Sequence, residues 1–306
     1  MSSGQAAARE TAADAGVGAV GAILAPETAT RMAAAARALM GAVPEEQQVV
    51  LNPGFDDFDL ESPRRHWTYL PEVDRPGLPL RALSDPQRKF AHELITASVS
   101  MEGYSKVVSI MAMEHVRRAL IQASAPARAH MFDPEGYCFR IFGDPAVSGS
   151  VRQRPWGWQL AGHHVSLNFT VAGDHVSPTP CMLGSVPASY GGLAPLEHEE
   201  ADGYAFVRSL SEGQRARAVI WHRPPPDFAT RIAARIGEVE RPDHVFDPEP
   251  DYRIEDEERD AMAYVRSGPR GIGGDGLTAE QLYALTDLVK RFAGRLPPEV
   301  AEAEMR

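Results

Sequence analysis

The sequence predicts an α+β fold: an antiparallel β core with a hairpin at about residues 156–183, flanked by N-terminal and C-terminal helical segments. Three observations carry this. Helix-favouring blocks with capping signals lie on both sides of the centre, and the β-prone runs Tyr137 to Phe142 and Trp156 to Val171 fall between them. No alternating strand–helix rhythm asks for a parallel sheet. With 306 residues, 43% of them hydrophobic, the chain has the composition of a soluble globular protein with a substantial core.

Residues 1–26 read as a flexible Ala-rich tail and residues 27–306 as a single α+β domain. The first 42 residues contain 16 Ala, and Gly16 to Ala25 has about the length of a signal-peptide core. That stretch is weakly apolar and broken by Gly. Arg9 is its only upstream side-chain cation, and Glu10 and Asp14 stand where basic residues belong, so a tail is the simpler reading. Glu27 to Met40 favours a helix by propensity and is stopped by Gly41 and Pro44. Residues 52–79, rich in Pro, Asp and aromatics, read as irregular coil around His66-Trp67-Thr68-Tyr69. Ser84 followed by Gln87 is a capping box, opening a helix through Phe90, Leu94 and Ile95. Val107, Val108, Met111, Met113, Val116 and Leu120 then recur at near-helical spacing between Tyr104 and Ile121.

In the centre, Gly173-Asp174 separates the alternating run from His175 to Leu183, which is a hairpin signal. Beyond Pro195 the chain turns helical again, with breaks at Pro224 to Pro226 and around Pro248 to Pro250. Ser211 with Gln214, and Thr278 with Gln281, repeat the capping signal. The last helix, Thr278 to Phe292, precedes Leu296-Pro297-Pro298 and an acidic stub.

Successive strand residues face opposite sides. Read as one strand, the alternating run puts His163, Val165, Leu167, Phe169 and Val171 on an apolar face and His164, Ser166, Asn168 and Thr170 on a polar one. The Gly173-Asp174 turn would pair Thr170 with Ser177, Asn168 with Thr179 and Ser166 with Cys181, bringing His164 and Cys181 to one polar surface. A solvated face is the plainer reading of that surface, and a ligand or metal site the sharper one. His163 on the apolar row reads first as a buried structural histidine.

Charge and motifs narrow the function. Lys and Arg number 31 against 42 Asp and Glu, for a net charge of −11, and no basic cluster offers nucleic acid or an anionic membrane a footing. Between Glu238 and Asp260, 11 acids face 3 Arg; this solvated connector holds most of the negative charge. No apolar run is long enough to span a membrane. Two cysteines, Cys138 and Cys181, fit a reducing, cytoplasmic compartment. The glycines of residues 271–276 match a dinucleotide fingerprint only formally, since the strands it requires are missing. Ser189 lacks a nucleophile elbow, and His198 to Asp202 resembles a zinc motif in composition alone.

Trp156-Gly-Trp158, the run GHHVSLNFTV at 162–171, Thr179-Pro180 and Gly184 carry a resemblance. With them go Arg65, Trp67 to Pro71, GLPLRALSDPQR at 77–88, Gly103-Tyr104, Met113-Glu114, IFGDP at 141–145, Glu199-Glu200 and SLSEGQRARA at 209–218. Over roughly residues 30–300 the chain resembles a bacterial family of uncharacterised proteins, domain of unknown function 3500. The resemblance implies a fold and a site location, favouring His163, His164 and Asn168, and no reaction. Cys181 stands where relatives have an apolar residue. Relatives also continue into a His-rich, aromatic C-terminal section, so the expectation is a truncated chain or a member with an incomplete site.

Two function classes stay open, and whether the protein is an enzyme stays open with them. One is a metal-dependent enzyme, an oxidoreductase or hydrolase, in which His164, or His163 if a bulge at Gly162 reverses the faces, binds a divalent transition metal. Asn168, Arg140 and Trp158 would bind a small-molecule substrate, and Glu199 or Glu200 would supply the catalytic carboxylate, as metal ligand or base. The other is a non-catalytic ligand-binding or scaffold protein.

Overall fold

Helix α1 (Pro26–Ala42) begins on a proline whose missing N–H costs nothing in the first turn. Its buried residues, Thr28, Ala29, Met32, Ala33, Ala36 and Leu39, recur every three to four positions and form one stripe against the core. The computed structural model describes residues 22–55, 62–71, 74–145, 154–222, 256–262, 268 and 270–306. The Ala-rich residues 1–21, the proline breaks at 224–226 and 248–250, and all but the end of the acidic connector lie outside them.

A short helix α2 (Glu45–Leu51) follows, then strand β2 (Leu78–Pro79). Helix α3 (Asp85–Ser98) is opened by the expected capping box, Gln87 Oε1 accepting from the Ser84 N–H at 2.8 Å. Helix α4 (Met101–Ser124) is capped by Ser100, whose hydroxyl accepts from Gly103 N–H at 3.0 Å. After the sheet come α5 (Glu197–Ser209), α6 (Glu212–Ala218), α7 (Asp256–Met262) and α8 (Ala279–Ala293). The capping boxes at Ser211 and Thr278 form as expected, and Gln214 and Gln281 also hydrogen-bond each other, joining α6 to α8.

The sheet has seven antiparallel strands in the order β1-β6-β5-β4-β3-β2, with β7 also on β5, so the α+β class holds. The strands are β1 (Ile23–Leu24), β3 (Cys138–Phe142), β4 (Trp156–Gly162), β5 (Val165–Ala172), β6 (His175–Ser177) and β7 (Cys181–Leu183). Ile23 and Leu24, assigned to the tail by composition, pair with β6. The acidic stub is helix α9 (Pro298–Glu304): Val300 is fully buried, and Glu299 Oε2 accepts from both the N–H and the hydroxyl of Thr28, each at 3.0 Å.

Two corrections govern the site. The run from Trp156 to Val171 is not one strand. It folds back at His163-His164, the two residues between Gly162 and its partner Val165. A two-residue turn pairs even positions with odd ones, so Trp158 faces the same side as Phe169 and Gln159 the same side as Asn168. The second correction concerns β7. Thr170 does pair with Ser177 and Ala172 with His175, but across Pro178, Thr179 and Pro180 the register slips by one residue. Cys181 therefore lies opposite Leu167 and packs against the core rather than joining Ser166 and His164.

One sheet face is apolar and packed under the helices. Trp158 lies parallel between Phe139 and Phe169, with ring centroids 6.5 and 5.1 Å away. The other face is polar but not solvated, because residues 62–71 cover it. Arg140 Nε donates to Gln159 Oε1 at 3.0 Å, and Arg140 also reaches the His66 carbonyl at 2.6 Å. The Gln159 amide donates to Asn168 Oδ1, and Asn168 donates to Ser166 Oγ at 3.1 Å and to the Pro180 carbonyl at 2.7 Å.

Candidate functional site

The β4–β5 turn brings the two candidate histidines together. His164 takes the turn's left-handed position, φ +60°, a conformation rare for residues with a side chain but more frequent for His than for most. Its backbone is held on both sides: its N–H donates to the Tyr69 carbonyl, and its carbonyl accepts from Gly184 N–H, both at 2.9 Å. A Cβ on Gly184 would sit 2.5 Å from His164 Nδ1, so only glycine lets β7 approach this closely. Tyr137, fully buried, donates its hydroxyl to the His163 carbonyl at 3.0 Å.

His163 points at α4. Its Nδ1 lies 2.7 Å from Glu114 Oε2, and both residues are buried. The two imidazoles meet edge to face with centroids 4.2 Å apart, and Phe132 packs on His163 at 5.2 Å. Arg117, one turn after Glu114, lays its guanidinium over Phe132 at 5.2 Å. Burial foremost, with His163 and Arg117 beside it, lowers the His164 pKa to about 3, so this ring is neutral at ordinary pH.

Three buried polar atoms around this turn have no hydrogen-bond partner: Glu114 Oε1, Arg117 Nε and His164 Nδ1. Unpaired buried polar atoms are rare, and three around one turn make it the candidate site. Among the described residues no group of three or more His, Cys, Asp or Glu side chains is placed to hold a metal ion. Neither His164 nor His163 therefore belongs, among the described residues, to a set of three side chains placed as ligands.

The Met113-Glu114 pair and the Gly-His-His turn, far apart in sequence, thus meet in one site. A family model described as "Protein of unknown function (DUF3500)" matches residues 25–306. The chain belongs to the DUF3500 family. No curated protein and no solved structure is significantly similar to it.

The other expected residues of this DUF3500 chain lie elsewhere. Asn168 and Arg140 are tied into the covered polar face, where burial draws Arg140 down to about 10. Trp158 is in the core, 1% exposed. Glu199 is buried between Lys106 Nζ and Arg295, each 2.8 Å away, and Glu200 is exposed. Burial would raise the Glu199 carboxyl, but hydrogen bonds from Lys106 and Arg295 outweigh it and hold it below its ordinary value. Burial pushes the Cys181 thiol up to about 11, so it stays protonated. Sequence reasoning missed Glu114, Arg117 and Tyr137 as a group. Its one available signal was helical phase, since Glu114 and Arg117 are one turn apart on a helix that was expected.

Proposed function

We propose that this protein is an enzyme that performs proton-transfer chemistry, such as hydrolysis, on a small molecule at the β4–β5 turn, with the Glu114–His163 pair as its base. The observation that supports this best is the 2.7 Å contact between a buried carboxylate and an imidazole, ringed by polar atoms without partners. An ionised Glu114 accepts from Nδ1–H, which fixes the tautomer and leaves the Nε2 lone pair to take a proton from water or substrate. Neutral His164, edge-on to His163, offers a hydrogen bond without competing for the proton. The free thiols of Cys138 and Cys181 support a cytoplasmic setting.

The test is a panel of small esters, lactones, amides and phosphoesters assayed with the native protein, His163→Gln and Glu114→Gln. A hydrolytic activity should fall by roughly 10²–10⁴-fold in both variants while thermal unfolding stays cooperative. Activity retained in both would overturn the assignment. Metal content of the native protein beside His164→Ala is the companion measurement. Stoichiometric metal lost only in the variant would replace base chemistry with a metal-dependent mechanism, and ligand binding without turnover would return the protein to the non-catalytic class.

A further inference from the structure

We infer that Arg117 is an anion-binding arm of the turn site, and that the ligand it receives carries a carboxylate. Three buried or half-buried arginines of the structure invite comparison. Arg295 is paired with Glu199, and Arg140 is hydrogen-bonded to Gln159 and the His66 carbonyl. Arg117 is different: among the described residues it has no ion pair and no hydrogen bond, and its Nε is buried. Among the described residues it lies over the face of Phe132, which fixes the plane of the guanidinium without using a single N–H.

A flat guanidinium whose N–H groups meet no protein acceptor among the described residues, held one ring away from His163, matches the two oxygens of a carboxylate. Glu114 lies one helical turn away and presents its own unpartnered oxygen. That like charge disfavours a phosphate dianion more than a carboxylate monoanion. Neutral His164 adds a hydrogen-bonding group without adding charge. The inference rests on the turn being the ligand site, and not on His163 acting as a base.

The experiment is an NMR titration of the full chain, labelled at histidine, with sodium acetate and separately with inorganic phosphate, each at constant ionic strength. Acetate should shift the His163 and His164 ring signals saturably. Arg117→Gln, similar in length, should weaken that binding at least tenfold, and Arg117→Lys should fall between. His163→Gln should still bind acetate, read at His164, even if the proposed base chemistry is wrong. Unsaturable shifts, or equal binding in Arg117→Gln and native protein, would overturn the assignment of Arg117. Tighter binding of phosphate than acetate would overturn the choice of carboxylate.

Discussion

Replacing Glu199 by Gln removes the one anion that faces both Lys106 and Arg295. All three residues are at most 8% exposed. Lys106 keeps a second partner in Glu102, whose side chain is 54% exposed and within reach of water. Arg295 keeps the face of Phe292 at 4.4 Å and a neutral amide oxygen, and no other ion pair among the described residues, so its charge becomes the uncompensated one. Removing one partner of a buried ion pair costs about 3–5 kcal/mol, a large part of a typical total stability of about 5–15 kcal/mol. For a chain of this size that predicts a fall in Tm on the order of 10 °C. Urea and thermal unfolding of Glu199→Gln beside Glu200→Gln measure it, since the exposed neighbour should shift stability by less than about 0.5 kcal/mol. Equal unfolding midpoints for the two variants would refute the reasoning. The pH dependence supplies a second check. Because the folded-state carboxyl of Glu199 is held below its unfolded value of about 4.3, its contribution is fully present above that pH and is lost as pH falls through the lower folded value. Glu199→Gln should flatten the acid limb of the stability curve.

Other predictions follow from the same contacts. Gly103→Ala places a methyl carbon 2.2 Å from the Arg295 carbonyl oxygen, prising the end of α8 from the start of α4. It should cost roughly 1–3 kcal/mol in urea unfolding. Glu299→Ala strips the N–H and hydroxyl of Thr28 of their shared acceptor and should lose about 1 kcal/mol, the usual worth of a helix cap. His164→Val should be less stable than His164→Asn by about 1–2 kcal/mol, because a branched side chain resists φ +60° and Asn accepts it. Native His164 stays neutral down to about 3 but takes up a proton below about 6.5 once unfolded, so it makes the fold weaken as pH drops through that interval. His164→Asn should remove this component.

Local signals in the chain were enough for most elements. Capping residues at Ser84, Ser211 and Thr278 start helices α3, α6 and α8 because a side-chain oxygen three residues from a Gln works wherever it occurs. The β5–β6 turn at Gly173-Asp174 was legible for the same reason. The turn at His163-His164 was not, since alternation continues across it and neither residue is a usual turn former. Length was the available warning: Trp156 to Val171 exceeds the roughly 3–10 residues of an ordinary strand. That single turn decides which side chains share a face, so missing it moved Trp158 from core to site and separated two histidines that touch. Hydropathy could not show that Arg140, Gln159 and Asn168 are covered rather than solvated, because the cover comes from residues 62–71, a segment with no periodic pattern. Glu114 was marked by the family resemblance but given no role, because a lone acid on an apolar helix face means little until the turn that receives it is known.

The clasp between Thr28 and Glu299 has a consequence for how the protein is made. Strand β1 and helix α1 are made before the rest of the described fold, yet β1 closes the sheet on β6, and the start of α1 waits for an acceptor 271 residues later. A segment made early is thus satisfied late. Its apolar stripe from Ala29 to Leu39 can pack on α3 as soon as Ser98 has emerged, so it is the Thr28 end of α1 alone that waits for Glu299.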